Sequence, residues 1–166
     1  RMLTPGQIAE RLNDTDVLTS PGTTELIRQQ TVRSALDWTY NLLREDEQVL
    51  FRRLAVFSGS FTLEAAEFVC AGPGLEPAGV LAAFAELEDM CLVEGYPVDG
   101  QMRFRMHEII SRQALLRLQE AGEEASVRGR HVEFCVRFVQ DAEPKTLGPR
   151  QAYWLSVLQA EHDNLR

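Results

Sequence analysis

With 166 residues, 45% of them hydrophobic, the chain can bury one compact core or a small domain with flanking helices. Its 17 Lys and Arg stand against 25 Asp and Glu, a formal charge of −8 at pH 7, whereas surfaces that hold duplex DNA or an anionic membrane are normally basic. No run approaches the ~20 apolar residues of a membrane span and no signal peptide opens the chain. The expected location is therefore the cytoplasm. There Cys70, Cys91 and Cys135, set in apolar sequence without CxxC or His-rich spacing, are expected to be buried free thiols.

Thr4-Pro5 reads as the start of a short helix over 5–13, and the polar, turn-rich stretch from Asp14 to Glu25 reads as a linker. Apolar spacing at Val32, Ala35, Leu36, Thr39 and Leu43 predicts a helix over 29–43. Glu45-Asp46-Glu47 then opens a helix over 45–56, with Val49, Leu50, Leu54 and Phe57 on one side and Arg52-Arg53 near its end. Thr62 caps a helix to Cys70, with Leu63, Ala66 and Val69 as its apolar stripe. Pro77 starts another, with Val80, Leu81, Phe84, Leu87 and Cys91 at core spacing. Leu92–Tyr96 and Met102–Met106 flank Asp99-Gly100, a hairpin signal. Alternation in the second run places Met102, Phe104 and Met106 on one face and Arg103 and Arg105 on the other. A helix from about 107 to 121 closes on Gly122. Helices over roughly 123–142 and 149–164, separated by Pro144 and Gly148-Pro149, have the size of the pairs that build helical-repeat arrays.

Three helices followed by a two-stranded hairpin make a winged helix. The expected architecture is mainly α: a winged helix flanked by helices, with a helical-repeat-like pair at the C-terminal end. The helix at 77–90 takes the place of a DNA-reading recognition helix. From Glu76 to Met90 it holds Glu76, Glu86, Glu88 and Asp89 and no Lys or Arg. Base readout relies on Arg, Lys, Asn or Gln, so this helix is poorly equipped for DNA. The residues best suited to a DNA contact are Arg103 and Arg105 on the wing, whose plainer reading is two solvated strand-face arginines.

Nothing in the chain specifies an enzyme. There is no Gly-rich phosphate loop, His107, His131 and His162 share no metal-binding spacing, and no local arrangement pairs a nucleophile with a base. Met106-His107-Glu108 stands out, because it falls where strand gives way to helix. Alternation buries Met106 and leaves His107 at or near a helix N-terminus. Free backbone N–H groups there favour an anion, and an imidazole can donate to a phosphate. An ordinary helix-start histidine is the alternative.

The strings Arg28–Tyr40, Glu47–Phe57, Ser58–Glu67 and Glu161-His162-Asp163-Asn164-Leu165-Arg166 resemble bacterial signalling ATPases of the STAND class (NB-ARC or AP-ATPase type), which include large LuxR-type and AfsR-type transcriptional regulators. The resemblance covers nearly the whole chain. It implies that residues 1–27 are the end of the ATPase's small helical domain with a linker, 28–121 the winged helix, and 122–166 the start of a TPR-like sensor array. It further implies that the chain is a non-catalytic relay. The winged helix would hold the ADP-bound state and move on ATP and inducer binding, with His107 of Met106-His107-Glu108 contacting the nucleotide's phosphate. Glu108 stands where the family has Asp. No cofactor is then expected in this chain itself, ADP or ATP being held by the intact parent. The expected partners are the parent's own ATPase and sensor domains, with self-association through exposed apolar surface also open and neither membrane nor DNA expected. Both ends read as cuts in a longer polypeptide. The rival expectations are DNA binding through the wing and a protein-interaction scaffold with no nucleotide role.

Overall fold

The computed structural model describes residues 33–166. The chain divides into two compact units, residues 1–42 and 43–166. Of the first, residues 33–42 are described and are helical, in line with the periodicity, with the Thr39 hydroxyl donating to the Ala35 carbonyl at 3.0 Å. The expected helix over 5–13, the linker and residues 29–32 lie outside the described residues.

The second unit begins with α1 (Glu45–Arg53), whose acids lie in the first turn and whose arginines lie in the last, both matching the helix dipole. The Arg44 N–H donates to the Glu47 carboxylate at 2.7 Å, one half of a capping box. A 3-10 turn (Leu54–Val56) finishes it. In α2 (Leu63–Cys70) the Thr62 hydroxyl accepts from the Ala65 N–H at 3.2 Å, as its place before an apolar run predicts. Pro77 sits in the first turn of α3 (Pro77–Asp89). The hairpin follows: β1 (Glu94–Val98) pairs antiparallel with β2 (Gln101–Arg105), Val98 opposite Gln101. Asp99 at φ 48° and Gly100 at φ 81° turn it, both in the left-handed region that a type I′ turn requires. Phe61 and Phe104 exchange N–H···O bonds, each 2.8 Å, which adds a one-residue third strand beside β2.

The core gathers Val49, Leu50, Phe51 and Leu54 of the first helical stretch, Ala66 and Val69 of α2, and Val80, Phe84 and Leu87 of α3, each at most 3% exposed. Rings connect the layers: Phe57 stacks on Phe61 at 4.5 Å, and Phe84 meets Phe104 edge-on at 4.6 Å. Helix α4 (Glu108–Glu120) closes the winged helix, and Gly122 at φ 68° reverses the chain, as its position past the helix predicts.

Helix α5 (Glu124–Ala142) lies against α2, its Arg130 Nε donating to the Val69 carbonyl at 2.7 Å and Phe134 lying 5.7 Å from Phe68. A 3-10 turn (Glu143–Leu147) leads to α6 (Gln151–Ala160). The fold is thus mainly helical with one small antiparallel sheet, as expected for a winged helix with flanking helices. Among the described residues no helix is long and apolar enough to cross a membrane.

Several local expectations need correction. Leu81 is 57% exposed because α3 buries Val80, Ala83, Phe84 and Leu87, a phase that turns Leu81 outward. Cys91 is exposed because the backbone after α3 enters the left-handed region at φ 56°. Cys135 is half-buried, so Cys70 alone is a fully buried thiol, and burial pushes it up to about 12. Met106 is half-buried rather than buried. The final helix stops at Ala160 and passes into turns, because Glu161 and Asn164 are drawn inward.

Candidate functional site

β2 ends at Arg105, and two residues later the chain enters α4. His107 is the N-cap of α4, with extended backbone (φ −63°, ψ 148°), and its carbonyl accepts from the Ser111 N–H at 2.9 Å. Its side chain makes no capping hydrogen bond to the helix. The imidazole is 63% exposed, with Nε2 3.4 Å from a Glu94 carboxylate oxygen. That same oxygen accepts from Arg105 at 2.9 Å, and the Arg105 guanidinium lies 5.2 Å from the centre of the Tyr96 ring. Glu108 is 83% exposed and pairs with Arg112 one turn along α4. An open cleft of about 570 Å³ runs alongside, lined by Met106, Glu108 and Ser111 of this junction and by Tyr96 and Arg105 of the wing, with the 54–61 segment opposite. The structure therefore brings Met106, His107, Glu108 and Arg105 to one edge. It takes Arg103 away from them.

The neighbouring strand residue is not a solvated arginine. Arg103 is 3% exposed because its side chain crosses to the C-terminal turn. Nη1 meets the Glu161 carboxylate at 2.7 Å, Nε donates to the Ser60 hydroxyl at 2.7 Å, and Nη2 donates to the Ser60 carbonyl at 2.7 Å and the Ala160 carbonyl at 3.2 Å. Asn164 completes the cluster: its amide donates to the Ser60 carbonyl and to Glu161, each at 2.8 Å, and its oxygen accepts from the Ser58 N–H at 3.0 Å. A buried ion pair must have its remaining donors and acceptors satisfied to hold, and this one does. The wing, the 58–60 loop and the residues after α6 are fixed to each other at one point.

A second polar clamp joins α1 and the turn after α2 to the start of α5. Glu123, at the N-cap of α5, accepts from Arg52 at 2.6 Å and from Arg53 Nε at 2.7 Å. Arg53, 2% exposed, also donates to the carbonyls of Cys70 at 2.7 Å and Pro73 at 2.6 Å. Burial works to raise the Glu123 carboxyl, and the hydrogen bonds and charges of the two arginines outweigh it, so the group lies below the ordinary carboxylate value. Between the clamps His131 of α5 meets Phe57 edge-on at 5.1 Å. Burial lowers its imidazole from the ordinary value, with Glu161 pulling the other way and Arg128 adding to the lowering.

Sequence reasoning did not identify Arg53, Glu123, Ser60 or Asn164 as members of clamps. The available signal was the terminal Glu161–Arg166 string, which carried a family likeness without its chemistry. Among the described residues no group of His, Cys, Asp and Glu could hold a metal ion.

No family model matches the chain. No solved structure matches it either. It is similar to curated mycobacterial proteins. One, from Mycobacterium tuberculosis (strain ATCC 25618 / H37Rv) and provisionally named an HTH-type transcriptional regulator, is 37% identical over 167 aligned positions, covering 100% of this chain and 19% of the relative. A relative of the same provisional name in Mycobacterium bovis matches to the same extent. A further M. tuberculosis protein, named only as uncharacterized, is 34% identical over 131 residues, 78% of this chain and 33% of that protein. The chain thus spans 19% of the length of the regulators it resembles, and its likeness to them runs through the winged helix and the clamped C-terminal helices alike.

Proposed function

We propose that this chain is a regulatory, non-catalytic part of a transcriptional regulator, in which the winged helix and the helices after it relay the nucleotide state of an ATPase core to a helical sensor. The observation that carries this reading is the pair of ionic clamps, the buried Arg103–Glu161 and the half-buried Arg52/Arg53–Glu123. A relay needs a body that moves as one piece, and two ionic contacts between the winged helix and the C-terminal helices, one of them fully buried, support that property. The names of the longer relatives support the regulator class.

Within that reading His107 is the phosphate sensor. The residues fit one edge of a nucleotide. An exposed imidazole that makes no capping hydrogen bond of its own stands at the N-terminus of a 13-residue helix, with Arg105 two residues away. They do not fit a whole nucleotide, since the chain offers no Gly-rich loop, so ADP or ATP would be held by an ATPase core. Bound nucleotide would supply the charge that the sensor reads, and His107 would donate a hydrogen bond to it. Releasing that bond biases the two-state equilibrium of the rigid body. His107→Ala in an intact regulator is expected to speed ADP release and raise basal transcriptional output. Unchanged ADP release together with unchanged basal output refutes the role.

The relatives' names favour a second reading, direct DNA binding by the wing. The exposed wing arginine is Arg105, already paired with Glu94, and α3 carries acids where a reader carries cations. Gel shifts across salt concentrations separate the readings. A salt-dependent shift abolished by Arg105→Ala establishes DNA binding, and its absence leaves the relay.

A further inference from the structure

The face that a DNA-reading winged helix turns toward its groove is here apolar at its centre and acidic at its margin. Along α3, Ala78, Leu81, Ala82 and Ala85 point away from the core at the spacing of a single helix face, and Leu81 is 57% exposed. The wing extends this surface. A Cβ placed at Gly95 would meet the Glu88 carboxylate at 2.7 Å and the Met102 methyl at 3.3 Å, so both side chains close over Gly95 and join the end of α3 to the hairpin. Met102 is 51% exposed. Beneath them the Phe84–Phe104 ring contact holds α3 and the sheet together, so the surface is preformed.

The margin is of one sign. Glu86, Glu88 and Asp89 are all exposed, and α3 contains no cation. The cation that acts on Glu86 is Arg44, which is itself bound to Asp46 and Glu47 of α1. A second copy of the chain applied to this face would set these acids against each other, and a nucleic acid would meet the same repulsion. A row of alanines flanked by Leu81 and Met102 lets another backbone approach closely, as helix-on-helix packing requires.

We infer that this face docks an amphipathic helix of a partner protein. Its apolar ridge would lie over Leu81, the alanines and Met102, and lysines or arginines on its flank would meet Glu86, Glu88 and Asp89. The assignment is independent of the nucleotide relay.

Fluorescence anisotropy of the 166-residue chain with two labelled synthetic helices tests it. Both have the same leucine–alanine ridge, one flanked by lysines and the other by glutamates. The lysine-flanked helix binds and the glutamate-flanked one does not. Leu81→Ser and, separately, Glu86→Lys with Asp89→Lys each weaken binding roughly tenfold, about 1.4 kcal/mol. The control, Glu133→Lys with Asp141→Lys on α5, makes the same change of net charge at exposed positions and leaves binding intact. Equal weakening by the control would mean general attraction to an acidic protein and overturns the proposal. So does indifference to Leu81→Ser, failure of the lysine-flanked helix to bind, or sedimentation showing that the chain dimerises through Leu81. Circular dichroism verifies each fold, and because Leu81 is exposed its replacement leaves the core untouched.

Discussion

Replacing Arg103 by methionine keeps the bulk of the side chain and deletes its charge and its donors. The residue is 3% exposed and its partner Glu161 is 5% exposed, so the change leaves a buried carboxylate without its counter-ion. Removing one member of such a pair costs about 3–5 kcal/mol. Asn164 still donates to the Glu161 carboxylate and to the Ser60 carbonyl, which places the expected loss near the lower bound, about 3 kcal/mol. For a chain of this size that corresponds to roughly 6–12 °C in Tm. Replacing both members, Arg103→Met with Glu161→Leu, removes the orphaned charge and is expected to be less destabilising than the sum of the single changes, with a coupling of about 0.5–3 kcal/mol. Arg105→Ala, two residues along β2 but exposed, is expected to cost about 0–1 kcal/mol. Urea denaturation followed by circular dichroism gives these differences. Hydrogen exchange over residues 151–164 tells whether the C-terminal turn detaches before the rest unfolds. A loss below about 1 kcal/mol for Arg103→Met, or strict additivity in the double variant, refutes the clamp as the element that fixes the wing to the C-terminal helices.

Because Glu123 sits below the ordinary carboxylate value of 4.5 in the folded chain, its contribution is complete above that value and lost as pH falls through the depressed one. Glu123→Gln is expected to lower stability at neutral pH and to flatten the acid limb of the stability curve, read by urea titrations at several pH values. His131 behaves in the opposite chemical sense with the same outcome. Its folded imidazole lies below 6.5, so the unfolded chain takes up the proton first and stability declines as pH drops below that value. His131→Gln should remove that part of the slope, and an unchanged slope counts against the assignment. Gly95→Ala would place a methyl 2.7 Å from the Glu88 carboxylate and 3.0 Å from the Phe104 ring. The carboxylate can swing aside and the ring cannot, so a cost of about 1–3 kcal/mol is expected in thermal melts.

The Met106-His107-Glu108 edge and the clamps differ in how far they can be read from residues in order. His107 at the start of α4 follows from a change of period, alternation before it and helical spacing after it, and the structure places it there as the N-cap. Whether the imidazole would cap its helix or face outward does not follow from the period, since that depends on Glu94 across the hairpin. Arg103 shows the limit most clearly. Alternation assigned it to the same strand face as Arg105, which is correct, and took that face to be solvated, which holds for Arg105 alone. The error lies in treating a two-stranded wing as having one wet side. Residues from the C-terminal turn, more than fifty positions away, cover one end of it.

Helix starts at Thr62 and Pro77, the Asp99-Gly100 turn, the Gly122 reversal and the acidic character of α3 were determined by the sequence alone, because each rests on local chemistry: a hydroxyl within reach of an amide, a locked φ, a left-handed turn, a run without cations. Which polar groups leave water was decided only by the tertiary structure. Arg53, Arg103, Glu161 and Asn164 are buried because their partners arrive from distant elements, and a charge tolerates burial only where such partners meet it.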